Sequence, residues 1–243
     1  MPSVDHIYII HALNGYESHE KRLKEILPKT KIPFTFITDG DPSVWKEEDI
    51  QNNFHPQIKN KLKTGILSCT LNHMFAYKTM LEKNQEYVVV FENDPFFLDG
   101  VEGFRPKVET LLKEADSLDG AIVISLENTT LRFPSKKVRM KGKFLYAADK
   151  GRAAGAYIIN KKAAFNMIND LEINKCNDVI DWWHNDMIDR GVIQMYWAHP
   201  ALTEQGSHNG KLHAGISSKK ANFFRQIRWQ IQKAYKVFLS NFR

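Results

Sequence analysis

A four-residue apolar run, Val88-Val-Val-Phe91, passes directly into Glu92-Asn93-Asp94. A β-branched run with no polar member reads as a strand buried on both faces, as the strands of a parallel sheet are. Two carboxylates one residue apart then fall at its carboxyl end, where open α/β sheets place their ligands. Carboxylate oxygens suit a hard divalent cation such as Mg²⁺ or Mn²⁺, and such a cation can hold a diphosphate. The competing reading is a strand closed by a polar turn, with Pro95 as the stop.

The chain before this run supports an α/β fold. Val4 to Ile10 reads as a first buried strand, followed by a polar loop from His11 to Glu20. Ser18 is placed to cap a helix that starts near His19 and carries Leu23, Ile26 and Leu27 on one face. Phe34 to Thr38 is a second strand, closed by the turn Asp39-Gly40-Asp41-Pro42. A β-α-β beginning predicts parallel pairing and a right-handed crossover. Ligand groups then sit after the strands, near His11 and Asp39. Residues 43–63 read as a loop with short helices. Thr64 or Gly65 opens a longer helix through Leu81, on which Cys69 and His73 share a face. A Cys/His pair at that spacing can bind metal. With no further soft ligand nearby in the sequence, packing or supporting hydrogen bonds are the simpler role.

After the acidic strand, Phe104–Ala115 reads as an amphipathic helix and Gly120–Ser125 as another buried strand. Residues 127–150, with basic residues from Lys136 to Lys143, read as a mobile excursion. In Gly151-Arg-Ala-Ala-Gly-Ala-Tyr-Ile-Ile-Asn160, small residues run into a strand, and Gly155 lets a ligand or another backbone approach closely. A helix follows from Lys161 to Leu171. Asp178-Val-Ile-Asp-Trp-Trp-His-Asn-Asp186 places two acids, two indoles and an imidazole at a helix start. Asp178 or Asp181 can cap that helix. Equally, indole faces stack on sugars and carboxylates bind their hydroxyls, which makes Trp182 and Trp183 acceptor candidates. Val192–Trp197 is the last strand.

Charge divides the chain. Of the 34 Lys and Arg residues eight lie beyond Glu204, and none of the 28 acids do, so the body is net −2 and the end is net +8. A nucleic-acid enzyme would be basic around its site, and this body is not. The division suggests domain 1–210 and tail 211–243. In the tail Phe224, Ile227, Ile231, Ala234, Phe238 and Phe242 recur at helical spacing with basic residues between them. That is a basic amphipathic helix, suited to an anionic membrane surface or to packing on a protein. No run is apolar and long enough to span a bilayer. The first residues have neither a basic nor a long apolar leader region, and the two cysteines lack metal-ligand spacing. A cytosolic chain with free thiols is expected.

In this order the stretches resemble glycosyltransferase family 25, the bacterial lipooligosaccharide transferases related to collagen galactosyltransferases. The resemblance rests on Ile7-Tyr-Ile-Ile10 and on Gly65-Ile-Leu-Ser-Cys-Thr-Leu-Asn-His73. It rests also on Val89-Val-Phe-Glu-Asn-Asp94 and on Gly155-Ala-Tyr-Ile-Ile, Val179-Ile-Asp181 and His199-Pro-Ala-Leu-Thr-Glu-Gln205. Asn93 stands where the pattern has an acid, and Asn72 where it has Ser. Arg22 corresponds to the arginine expected after the first strand. The resemblance implies a GT-A type, Rossmann-like mixed sheet flanked by helices, with the basic amphipathic helix appended. It implies an inverting hexosyltransferase using a UDP-sugar, galactose being the commonest sugar, and Mn²⁺ or Mg²⁺. The acceptor is a saccharide of lipooligosaccharide, at the inner face of the bacterial cytoplasmic membrane. Asp94 and Glu92 fall on the metal-diphosphate motif, with His11, Asp39, His73, Glu92 and Gly155 as donor contacts. Asp181 is the expected base, with Asp178 as the alternative. The rival reading is a non-catalytic nucleotide- or glycan-binding member of the fold, because Asn93 removes one charge. A phosphotransferase or nucleotidyltransferase would need more acids or a P-loop.

Overall fold

The computed structural model describes residues 2–212 and 223–242. It begins as β-α-β: β1 (His6–Ile10), α1 (Glu17–Ile26) and β2 (Phe34–Ile37), which pairs parallel to β1. Helix α1 starts two residues before the expected position. Tyr16 stands at its N-cap without a side-chain cap, and Ser18 lies inside the first turn. Glu17 and Glu20 in that turn face the positive end of the helix dipole and stabilise the start instead.

Two short helices follow, α2 (Glu47–Asn53) and α3 (Ile58–Lys61), then the long α4 (Thr64–Glu82). Next come β3 (Tyr87–Glu92), β4 (Pro95–Phe97), α5 (Phe104–Ala115) and β5 (Ile122–Ser125). The remainder is β6 (Leu145–Ala148), β7 (Ala156–Asn160), α6 (Lys161–Ile173), α7 (Ile180–Asp189), β8 (Gln194–Ala198), β9 (Thr203–Gln205), α8 (Gly206–Asn209) and α9 (Phe223–Ser240).

Among the described residues the main sheet has seven strands in the order β2-β1-β3-β7-β5-β8-β6, and β4 and β9 form a small separate sheet. The main sheet is mixed. Strand β3 runs parallel to β1 but antiparallel to β7. Burial on both faces gives one continuous apolar run whichever way the neighbour points, so an apolar run alone leaves direction open. Pro95 does not stop the chain. It opens the edge strand β4, where a missing N–H costs no ladder bond. The expected excursion at 127–150 contains β6, which pairs antiparallel with β8.

Alternation along β3 builds two cores. Val88 and Val90 join Tyr8 and Ile10 against Leu67, Leu71 and Tyr77 of α4, Met167 of α6 and Trp183 of α7. Val89 and Phe91 join Ile7 and Ile9 against Leu23 of α1 and Val108 and Leu112 of α5. Each of these strand residues is almost wholly buried. At about 1.5–3 kcal/mol per large apolar side chain, that burial is the main force holding the strand ends in place.

Helix α9 packs on the body through its polar side. Lys233 Nζ lies 2.5 Å from Glu204 Oε1, Arg225 donates to the Ser207 carbonyl at 2.6 Å, and Arg139 donates to the Ser240 carbonyl at 2.7 Å. Trp229 is buried on the same side, whereas Ile227, Ile231, Tyr235, Phe238 and Phe242 are exposed. The expected basic residues Lys219, Lys220 and Arg243 lie outside the described residues. Among the described residues no helix is long and apolar enough to cross a membrane.

Candidate active site

The parallel strands β1, β2 and β3 deliver their carboxyl ends to one edge of the sheet. A cleft of about 530 Å³ lies there. His11 and Ala12 enter from the end of β1, Asp41 from the turn after β2, and Glu92, Asn93 and Asp94 from the end of β3. Ser68, Cys69 and Asn72 of α4 line a second wall. Asp181 of α7, Gln205 of β9 and His208 of α8 close it.

Asn72 holds two of these loops together. Its Oδ1 accepts from Gly40 N at 2.7 Å and its Nδ2 donates to the His11 carbonyl at 3.1 Å. A side chain on Gly40 would meet Asn72 at 2.9 Å, so the turn after β2 needs glycine to seat against α4. Asp41 is fixed by Leu13 N at 3.0 Å and by Ser43 N at 3.0 Å. Asn93 sits between two imidazoles: its Nδ2 lies 3.4 Å from His11 Nδ1 and its Oδ1 lies 3.4 Å from His19 Nδ1.

The two acids of β3 have different surroundings. Asp94 is buried. Its Oδ2 accepts from Ser207 N at 2.8 Å, and its Oδ1 has no hydrogen-bond partner. Glu92 sits deep in the cleft, with Oε2 accepting from Gln205 Nε2 at 3.1 Å. Its Oε1 faces Cys69 Sγ at 3.8 Å and His73 Nε2 at 3.9 Å. Burial, reinforced by Asp94, pushes Glu92 up to about 7. Asp181 Oδ1 accepts from Ala154 N at 2.6 Å, and burial together with Glu92 pushes it up to about 6. Burial likewise raises the Cys69 thiol and lowers His73 to about 3.

Behind the cleft lies a buried acid that sequence reasoning missed. Glu127 follows β5 as Glu92 ends β3, and that parallel was the available signal. It accepts from Gly155 N at 2.6 Å and from the Thr129 hydroxyl. Burial holds its carboxyl well above the usual range. Gly155 itself does not line the cleft. A methyl there would lie 1.9 Å from Gln205 Nε2, so its smallness makes room for the side chain that holds Glu92. Asp41 was also missed. It sits two residues from Asp39 in the same turn, and the sequence offers both.

The remaining candidates do not line the cleft. Asp39 is exposed and does not line it. Asp178 points away and pairs with Lys61 at 3.0 Å, leaving Asp181 as the α7 acid in the cleft. Trp183 is only 2% exposed and belongs to the core beside Tyr77, so it is closed to any acceptor. Trp182, next to Asp181, is exposed. His73 is fully buried, behind Cys69 and Glu92, which do line the cleft.

Residues 5–180 match the sequence model of glycosyltransferase family 25, described as LPS biosynthesis protein. Among curated relatives, the lacto-N-neotetraose biosynthesis glycosyltransferase LgtB of Neisseria meningitidis serogroup A is 25% identical over 194 residues, 75% of this chain and 68% of that protein. LgtB of serogroup B is 24% identical over 217 residues, 84% of this chain and 77% of that protein. Among solved structures, a glycosyltransferase involved in the glycosylation of the major capsid of PBCV-1 aligns with a TM-score of 0.44 at 10% identity, covering 84% of this chain and 94% of that one.

Proposed function

The chain belongs to glycosyltransferase family 25, and from that premise we propose that it moves a hexose, galactose, from a UDP-sugar to a saccharide acceptor of lipooligosaccharide, with inversion at the anomeric carbon. The observation that carries this reading is one cleft that brings Glu92, Asp94 and Asp181 together at the end of the sheet. The relatives named for lacto-N-neotetraose biosynthesis favour an oligosaccharide acceptor.

Asp94 fits a hard divalent cation. Its Oδ1 is buried without a partner while its Oδ2 is fixed by a backbone amide, so one oxygen is oriented and left to ligate. Mn²⁺ or Mg²⁺ bound there would offset the charge that develops on the departing nucleoside diphosphate. Inverting transfer is a single displacement in which the acceptor hydroxyl must lose its proton. Asp181 takes that proton: a carboxylate raised to about 6 is still ionised at neutral pH, yet more basic than an ordinary aspartate. The Ala154 amide holds the oxygen that stays behind. Trp182, exposed beside Asp181, offers its ring to the acceptor sugar.

The exposed face of α9 supports a place for the enzyme at the inner face of the cytoplasmic membrane. Ile231→Asp with Phe238→Asp should lower binding to vesicles containing anionic lipid and leave turnover of a soluble acceptor intact. Unchanged vesicle binding would remove the membrane from this reading. The donor is tested by following nucleoside-diphosphate release from UDP-galactose, UDP-glucose, UDP-N-acetylglucosamine and a GDP-sugar in Mn²⁺, with Asp94→Ala as comparison. Release from UDP-galactose, lost in the variant, is the expected result. Tight donor binding with no turnover, even with a lipooligosaccharide acceptor, would instead favour a binding protein.

A further inference from the structure

We infer that the floor of the cleft is a second cation site, in which Cys69 Sγ, His73 Nε2 and Glu92 Oε1 bind a borderline-soft divalent ion of the zinc class. This site is distinct from the hard-cation position at Asp94, and it stands whether or not the cleft transfers a sugar. Cys69 and His73 lie four residues apart on α4 and so present their side chains on one face. Strand β3 supplies the third donor, far away in sequence. All three donor atoms fall within 4.8 Å of one another.

The spacing suits an ion better than direct contact. Sγ to Oε1 is 3.8 Å and Nε2 to Oε1 is 3.9 Å, too long for firm hydrogen bonds. Around a tetrahedral zinc, with bonds of about 2.0–2.3 Å, such donors stand roughly 3.3–3.6 Å apart. The two pairs that include Glu92 need to close by roughly 0.3 and 0.6 Å, and the Cys69–His73 pair, which lies within 4.8 Å, by up to about 1.3 Å.

The orphaned imidazole nitrogen is the second, independent sign. His73 is fully buried, yet its Nε2 has no hydrogen-bond partner. Its other nitrogen is not free: Nδ1 lies 2.7 Å from Tyr157 Oη. That hydroxyl lies 2.5 Å from Tyr77 Oη, which lies 2.8 Å from His184 Nε2. In one of the two directions the chain allows, Nδ1–H donates to Tyr157, Tyr157 to Tyr77, and Tyr77 to His184. That direction leaves a bare lone pair on Nε2, facing Glu92 and Cys69. The opposite direction would bury an N–H whose nearest acceptor, Glu92 Oε1 at 3.9 Å, is too far for a firm hydrogen bond. Metal-bound histidines are oriented by such a hydrogen bond to the far nitrogen.

The donor set selects the ion. A thiolate and an imidazole favour Zn²⁺ or Co²⁺ over Mg²⁺ and Mn²⁺. Three protein ligands with the remaining position toward an open cleft is the arrangement of zinc sites that keep a place for water or substrate. Cys69 and Glu92 both line that cleft.

The test uses the full chain, stripped with a chelator and titrated with Co²⁺ as an optical substitute for Zn²⁺. One equivalent should develop a thiolate-to-cobalt charge-transfer band that Zn²⁺ abolishes and excess Mg²⁺ does not. Cys69→Ser should lose the band and Cys176→Ser should keep it. Tyr157→Phe should weaken Co²⁺ binding by about 10- to 100-fold, as loss of an orienting partner does. In the wild-type protein, Zn²⁺ should protect Cys69 from alkylation, read by mass spectrometry, which decides the matter even if a variant fails to fold. Absence of the band with unprotected Cys69, or a band that survives Cys69→Ser, overturns the site.

Discussion

The two walls of the cleft hold acids in opposite ways. On the wall formed by the loops after β1 and β2, Asp41 accepts from two backbone amides, those of Leu13 and Ser43. On the wall formed by α4, β3 and α7, Glu92 has only the Gln205 amide side chain among firm donors, and Asp94 and Asp181 have one backbone amide each, Ser207 and Ala154. Burial therefore raises Glu92 and Asp181 to about 7 and about 6. The lesson is a division of labour between like residues: amide-held acids are fixed anchors, whereas poorly held acids can exchange protons or take a cation.

The largest effect should come from the wall that exchanges protons. Asp181→Asn keeps an acceptor for the Ala154 amide but cannot take a proton, so transfer should fall by about 10²–10⁴-fold, as loss of a positioned base does. Donor affinity, measured by calorimetry with UDP-sugar, should stay within a few-fold. If affinity collapsed and the residual rate did not, Asp181 would be an anchor like Asp41 and the two walls would not differ.

A smaller effect tests what holds Glu92. Gly155→Ala puts a methyl where Gln205 Nε2 lies, at 1.9 Å, and Gln205 is itself buried. Overpacking of this kind costs about 1–3 kcal/mol. Denaturant unfolding should show that loss, while Gly151→Ala, whose nearest neighbour is at 3.6 Å, should be nearly silent. Equal losses would mean that the close approach of Gly155 to Gln205 does not position Glu92.

Much of this was legible in the sequence, and the gaps have physical reasons. The continuous apolar run of β3 and the helical spacing of α5 are local, so both were readable from the sequence. The acids Glu92 and Asp94 followed from the abrupt end of that strand. Strands β4, β9 and β6 are three or four residues long and exist because of partners distant in the chain, so no local period announces them. Asp178 and Asp181 look alike as helix-start acids. Only the packing of α7 on α4 turns one to Lys61 and the other into the cleft. Trp182 and Trp183 are adjacent, but neighbouring helix positions point about 100° apart, so one fills the core and the other faces out. Cys69 and His73 carried a metal-ligand spacing without a third ligand, because that ligand arrives from another element.

The smallest effect compares the walls through pH. A carboxyl with a folded value above its unfolded one binds its proton more tightly when folded. The stability it lends is full below the unfolded value and is lost as pH rises through the folded one, about 7 for Glu92. At pH 8 the wild-type protein, kept metal-free, therefore carries an ionised Glu92 at a cost that Glu92→Gln removes. The variant should be more stable there by about 1–2 kcal/mol, with the advantage fading as pH falls below about 6. Buried His73 and His184, both lowered to about 3, act in the other direction. They cost stability in both proteins once pH falls below the usual histidine value. Asp41→Asn should show no such gain at pH 8, because Leu13 and Ser43 amides already hold its charge. A gain for Asp41→Asn as large as that for Glu92→Gln would mean that backbone amides do not divide the two walls. Added Zn²⁺ should erase the advantage of Glu92→Gln, since a cation offsets the same charge that the substitution removes.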